Sequence, residues 1–275
     1  MLTSEQFDRT RKLALQLAGI ELYDRHRELL AIRGRRLGIR DTAGIEALLG
    51  AAEEGDPRAN RQLIGLVTTN FTDFFRHPRH FEAAAEQAVR AVRCRGQARL
   101  WSTAAATGEE PYSLAMALIE VFGRDDPPAN ILATDIDTEA LAIAARGEYG
   151  DRSLQTLPLK RRARFFAETA GAARQCIIAA VRLLVEFRTL NLIGKEWKVE
   201  GTFDVIFCRN VLMYLESRHR CAVLERLASL LAPDGLLMID PTEHLGKAGH
   251  LFTQVADAVY RRRGASCPQH NEIDL

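Results

Sequence analysis

Over the first quarter of the chain apolar positions recur at the helical period, and further on they gather into short runs. Thr3 and Gln6 have the spacing of a capping box, and Phe7, Thr10, Ala14 and Leu17 then share one face, which predicts a first helix. A second helix is predicted over Tyr23 to Leu37, crowded with Arg25, Arg27, Arg33, Arg35 and Arg36, with Arg40 just beyond it. A third, over Thr42 to Ala51, closes at the acidic turn Glu53-Glu54-Gly55-Asp56-Pro57. After Gly96 the pattern becomes strand-like at Arg99 to Ala104, Asn130 to Thr134, Val185 to Leu190, Phe203 to Cys208 and Leu236 to Ile239. A helix from Glu109 to Phe122, with Leu114, Leu118 and Val121 on one face, joins the first two, and Pro233-Asp234-Gly235 is read as the turn that starts the last.

Short apolar strands alternating with helices are the signature of βαβ units around a parallel sheet. The expected fold is therefore α/β, a doubly wound, mostly parallel sheet preceded by a small all-helical domain. Residues 1–76 form the helical domain and linker in this reading, 77–263 the sheet domain, and 264–275 a frayed tail. An irregular insertion is expected near 151–184, with Pro158, a basic stretch from Lys160 to Arg164, and Gly171. It shows little strand character before Ile177.

Composition narrows the function classes. With 275 residues the chain can bury a sizeable core, and 47% hydrophobic and 27% charged residues are ordinary for a globular protein. A net charge of +1 provides no field for nucleic acid or anionic lipid over the whole molecule, so charge recognition must be local. The polar start MLTSEQFDRT and the lack of a long apolar run argue against a secretory signal and a spanning helix, so direct membrane insertion is not expected and the cytoplasm is the expected compartment. Cys94, Cys176, Cys208, Cys221 and Cys267 are scattered without a Cys-x-x-Cys pair, and the histidines form no cluster, so no metal site is expected.

Two segments carry chemistry. In LWSTAAATGEEPYSLAM, residues 100–116, a strand runs into a turn of small residues, Ala104 to Gly108, and then into a helix opening with Glu109 and Glu110. Small side chains let a ligand approach the carboxyl end of a strand. A phosphate loop would carry more glycines and a lysine, whereas carboxylates repel pyrophosphate and suit a cation; taken alone, both glutamates would be read as complements to the helix dipole. In ILATDIDTEAL, Asp135 ends the second strand, where an acidic residue accepts hydrogen bonds from ribose hydroxyls, and Asp137 has the place of a helix N-cap.

These segments resemble the cofactor signatures of CheR-type chemoreceptor methyltransferases, and three others extend the likeness in order: TNFTDFFR (Thr69 to Arg76), FDVIFCRNVLMYL (Phe203 to Leu215) and LLAPDGLLMI (Leu230 to Ile239). The resemblance covers nearly the whole chain. It implies a class I methyltransferase-like sheet that binds S-adenosyl-L-methionine and releases S-adenosyl-L-homocysteine. It places Asn70, Thr72 and Arg76 at the methionine end, Glu110 at the cationic end, Asp135 on the ribose, and Asn191 and Leu192 beside the adenine. Cys208, Arg209 and Asn210 would line the pocket, with Tyr214 near the transferred methyl. The sequence departs from the family at Ala106, where a small polar residue is common, and at Asp240-Pro241-Thr242-Glu243, where Gly-His-Ser-Glu is usual.

The activity so implied is methyl esterification of glutamates on the cytoplasmic domain of a methyl-accepting chemoreceptor, in chemotaxis adaptation. Arg76, Arg209 and Tyr214 are the expected catalytic residues, acting by position. Arg209 is weighed as an ion-pair partner within the protein and preferred as a bidentate grip on the acceptor carboxylate. The arginine-rich second helix fits an acidic helical partner better than nucleic acid, because no aromatic residues interleave with the arginines. The competing readings are a catalytically silent module that binds S-adenosylmethionine and a methyltransferase for another substrate.

Overall fold

A computed structural model describes residues 2–39, 41–168 and 174–264; Arg40, Gly171 and the tail beyond Gly264 lie outside them. The chain begins with four helices, α1 (Ser4–Ala18), α2 (Arg27–Arg36), α3 (Thr42–Glu53) and α4 (Pro57–Val67). The Thr3 and Gln6 capping box opens α1, and Gly19, at φ 69°, closes it. Helix α4 was not foreseen, although its signals are plain. Asp56 caps it through the amides of Arg58 and Ala59, and Pro57 fills the first turn, where no amide is needed. These helices close around Phe7, Leu30, Leu49, Leu63 and Leu66.

A linker leads to α5 (Pro78–Arg95), which the strand search passed over. Then follow β1 (Ala98–Ser102), α6 (Glu109–Phe122), β2 (Ala129–Asp135) and α7 (Thr138–Arg146). After an inserted segment come β6 (Val185–Thr189), β7 (Phe203–Phe207), α11 (Ser217–Leu230), β8 (Leu231–Met238), β9 (Phe252–Ala256) and β10 (Val259–Arg262). Among the described residues these strands form one seven-stranded sheet in the order β6-β2-β1-β7-β8-β10-β9. Pairings from β6 through β8 are parallel, and β10 runs antiparallel to both its neighbours.

Alternation along the strands divides the core. Leu100, Val205 and Phe207 face α5 and α6 through Phe81, Ala84, Ala88 and Leu118. Trp101, Ile206 and Leu237 face the other way, against Leu224 and Leu227 of α11. Chain order reverses at β1, which has β2 on one side and β7 on the other, so a crevice opens at the carboxyl ends of these strands.

Two local readings are corrected. Pro233-Asp234-Gly235 lies within β8, at a shift of register against β7, and a Cβ at Gly235 would come within 2.9 Å of the Phe203 carbonyl oxygen. The inserted segment contains β3 (Glu148–Gly150), α8 (Asp151–Leu154), α9 (Leu159–Phe165), β4 (Phe166–Glu168), β5 (Arg174–Ile177) and α10 (Ala179–Leu183), with the strands in an antiparallel sheet of order β3-β5-β4. Strands of three and four residues are held by their neighbours rather than by β propensity, which is why the alanine-rich sequence concealed them. No helix of the described residues is long and apolar enough to cross a membrane.

Phe81 is 1% exposed and packs its ring 5.4 Å from Phe207 and 5.2 Å from Phe75. Phe81→Ala is expected to cost roughly 3–5 kcal/mol in urea unfolding, with an unchanged denaturant slope.

Candidate functional site

At the reversal of chain order a cavity encloses about 890 Å³ free of protein atoms, part of it open to solvent. Its floor is the turn after β1. Ala106 there adopts φ 47° and Gly108 φ 98°. A Cβ at Gly108 would meet Ala144 Cβ and the Tyr149 hydroxyl at 2.8 Å each, so only glycine lets the turn press against α7. Ala105 N–H donates to the Thr134 carbonyl at 2.9 Å and Ala106 N–H to Asp135 Oδ2 at 2.8 Å, tying the turn to the end of β2.

Asp135 also accepts from the Asp137 amide at 2.9 Å, through Oδ1. Burial pushes its carboxyl up, and the bonds from the Asp137 and Ala106 amides pull it back. Asp135 lines the cavity, and with one bond on each oxygen it can still accept from a hydroxyl donor. Asp137 caps α7, and its other oxygen, Oδ2, accepts from Asn70 Nδ2 at 2.7 Å and Thr68 Oγ1 at 3.0 Å.

The two glutamates of the turn part company. Glu109 turns away to accept from Thr107 Oγ1 at 2.6 Å and borders a second groove beside α2; burial raises its carboxyl to about 7 against that bond. Glu110 faces the cavity. Its Oε1 accepts from Ser102 Oγ at 2.8 Å and its Oε2 from Arg209 Nη1 at 3.0 Å, with side-chain exposures of 12% and 1% for the ion pair. Burial pushes Glu110 above the ordinary carboxyl range, and Arg209 and Ser102 oppose this.

Arg209 is tied into the protein at two points. Its Nη2 donates to the Arg76 carbonyl at 2.7 Å, so both terminal nitrogens are taken up inside the protein. The Glu110 contact is the ion pair weighed from sequence, and Nε has no hydrogen-bond partner among the described residues. Asn210, at φ 57°, donates its amide to Glu243 Oε2 at 3.0 Å and its Nδ2 to Asp240 Oδ2 at 2.7 Å. Glu243 also accepts from the Asp240 amide at 3.0 Å and the Met213 amide at 3.2 Å, which binds the ends of β7 and β8 together. Pro241 removes no bond from this set.

Of the residues singled out from sequence, Asn70, Thr72, Glu110, Asp135, Asn191, Leu192, Arg209, Asn210 and Tyr214 line the cavity. Asn191 does so with its side chain engaged, Nδ2 on the Leu17 carbonyl at 2.7 Å and Oδ1 on the Ile193 amide at 3.1 Å. Arg76 and Cys208 are not among the lining residues. Cys208 is fully buried, its amide donates to the Met238 carbonyl at 2.8 Å, and burial raises its thiol pKa. Arg76 directs its guanidinium to Asp240, 3.7 Å away.

Sequence reasoning missed the wall supplied by Ala18 and Ile20 at the end of α1. Ile20 bridges Leu215, Glu21 N–H donates to the Tyr214 carbonyl at 2.8 Å, and Glu216 N–H donates to the Gly19 carbonyl at 3.0 Å. These contacts join positions nearly two hundred residues apart, beyond any local motif.

The cavity thus presents two carboxylates and one cation among its lining residues; Glu110 and Arg209 pair with each other, which leaves Asp135 as the net negative charge. This suits a ligand with ribose hydroxyls and positive charge, and it opposes one with phosphates.

Residues 70–261 match the family model described as CheR methyltransferase, SAM binding domain. The chain is 36% identical over 261 residues to chemotaxis protein methyltransferase 2 of Pseudomonas aeruginosa, covering 94% of this chain and 93% of that one. It is 37% identical over 266 residues to the chemotaxis protein methyltransferase of Escherichia coli K12, covering 94% and 91%.

Arg209→Met leaves Glu110 buried without its partner and is expected to cost roughly 3–5 kcal/mol at neutral pH. Glu110 already has a raised pKa, and the loss shrinks as falling pH protonates it. Urea unfolding of both proteins at neutral and mildly acidic pH measures this.

Proposed function

Since the chain belongs to the CheR methyltransferase family and uses S-adenosylmethionine in chemotaxis, we propose that it esterifies glutamate side chains on the cytoplasmic domain of a chemoreceptor. The observation that carries the proposal is an anionic cavity at the carboxyl ends of β1, β2 and β7 beside a basic, partly apolar groove on α2. That groove is lined by Leu29, Ile32, Arg33 and Arg36, and Arg25, Arg35 and Arg36 are exposed on or beside the helix. The groove also carries Arg152, Asp73 and Glu109, and Arg33 is bonded to the Leu66 and Val67 carbonyls and the Thr69 hydroxyl, so the exposed Arg36 beside Leu29 and Ile32 is what fits an acidic amphipathic helix.

When bound, S-adenosylmethionine supplies a methyl group on a positively charged sulfur. In this reading Glu110 holds the cationic end, Asp135 takes the ribose hydroxyls, and Asn191 and Leu192 bound the adenine side. Asn70 and Thr72 border the methionine end from the linker. An acceptor glutamate, with a pKa near ~4.3 in free form, is ionised at neutral pH, so no general base is needed. The protein has to align the carboxylate oxygen and exclude water, for which orientation can provide roughly 7–11 kcal/mol. Tyr214 orients the oxygen from the cavity wall and Arg76 from the rim. Arg209 contributes by keeping Glu110 ionised and aimed, and by fixing the Arg76 backbone.

Three outcomes are expected. Incubation with radiolabelled S-adenosylmethionine and receptor cytoplasmic fragments yields a base-labile methyl ester; a base-stable label, or none, overturns the acceptor reading. Glu110→Gln lowers donor affinity by about tenfold, roughly 1.4 kcal/mol, and removes the decline in affinity that the wild type shows as acid protonates the raised Glu110 carboxyl; calorimetry across pH reads both. Reversing Arg25 and Arg36 to glutamate weakens receptor methylation and leaves donor affinity unchanged, whereas loss of donor binding would assign these arginines to the scaffold.

A further inference from the structure

Asp240 stands two residues beyond the end of β8. Its side chain is 1% exposed. Oδ1 accepts from the Thr242 amide at 3.0 Å and the Thr242 hydroxyl at 2.7 Å. Oδ2 accepts from Asn210 Nδ2 at 2.7 Å and stands 3.3 Å from His77 Nε2 and 3.7 Å from Arg76 Nη2. Burial alone would raise this carboxyl, but the Thr242 and Asn210 bonds and the Arg76 charge outweigh it and hold it below the usual range.

Arg76 stands differently. A third of its side chain is exposed, and among the described residues its guanidinium has this ion pair and no side-chain hydrogen bond. At 3.7 Å the contact is electrostatic and does not use up the five N–H donors of the fork. Its carbonyl is pinned by Arg209, and Asp240 is pinned by Asn210, and both of those residues line the cavity. The backbone of Arg76 is thus fixed by one cavity-lining residue and the ion-pair partner of its guanidinium by another, and the guanidinium keeps donors to spare.

We infer that Asp240 is a positioning residue for methyl transfer, holding the Arg76 guanidinium so that its spare N–H groups meet the acceptor carboxylate. The inference rests on the glutamate-acceptor reading above. Asp240 lies outside the cavity lining and touches it through Asn210, so donor affinity has to be read alongside the effect on the acceptor.

Methyl transfer to a receptor cytoplasmic fragment, with donor affinity measured in parallel by calorimetry, tests this in wild type, Asp240→Asn and Asp240→Gly. Glycine leaves no amide to bury and covers the case in which asparagine misfolds. KM for the fragment is expected to rise about tenfold in a folded variant while donor Kd stays within about twofold. An unchanged KM overturns the inference, as does donor affinity that falls in step with KM, which would mark Asp240 as part of the scaffold. A wild type that binds donor and labels no fragment overturns the acceptor reading first, and this inference with it.

Discussion

The site depends on a single buried ion pair. Glu110 opens α6, Arg209 follows β7, and neither charge would be tolerated alone at that depth. Because Arg209 also reaches the Arg76 carbonyl, the pair fastens the linker to the sheet at the place where chain order reverses. From there bonds run through Asn210 to Asp240 and Glu243, so the ends of three strands and the linker share one polar network. Groups joined in this way are preorganised, and preorganised charge in a dry site acts without the cost of reorganisation.

The arrangement also explains which nucleotide-like ligand is admitted. A doubly wound sheet leaves a crevice that many cofactors can enter, and the fold does not choose among them. The function proposed above assigns that choice to charge at the first turn. Glycine and alanine bring the backbone close, but the side chains that follow are acidic, and the arginine within reach is neutralised by one of them. In that reading pyrophosphate would meet repulsion, and a sulfonium with an ammonium group would meet a counter-charge.

Much of this was legible in the sequence because it is local. The capping box at Thr3, the turn into Glu110, the carboxylate at Asp135 and the cap at Asp137 each follow from residues within a few positions of one another. What stayed hidden was set by distant partners. Which of Glu109 and Glu110 faces the cavity depends on Thr107 and on Arg209, about a hundred positions away. The role of Asn191 depends on Leu17, and Arg209 could not be read as occupied before the Arg76 carbonyl was placed beside it. The strands of the insertion were missed because their pairing, and not their composition, makes them.

The end of α1 closes one wall of the cavity through Ala18 and Ile20, and it is fixed there by Asn191, Leu215 and Glu216. The cofactor signatures fall between residues 69 and 239, all but Thr69 within the stretch 70–261 that matches the family model. A fragment cut to that stretch would keep all of these motifs but Thr69 and lose a wall. The unit of binding is therefore larger than the unit of recognition, and Ala18 and Ile20 belong to the pocket as fully as the motifs do.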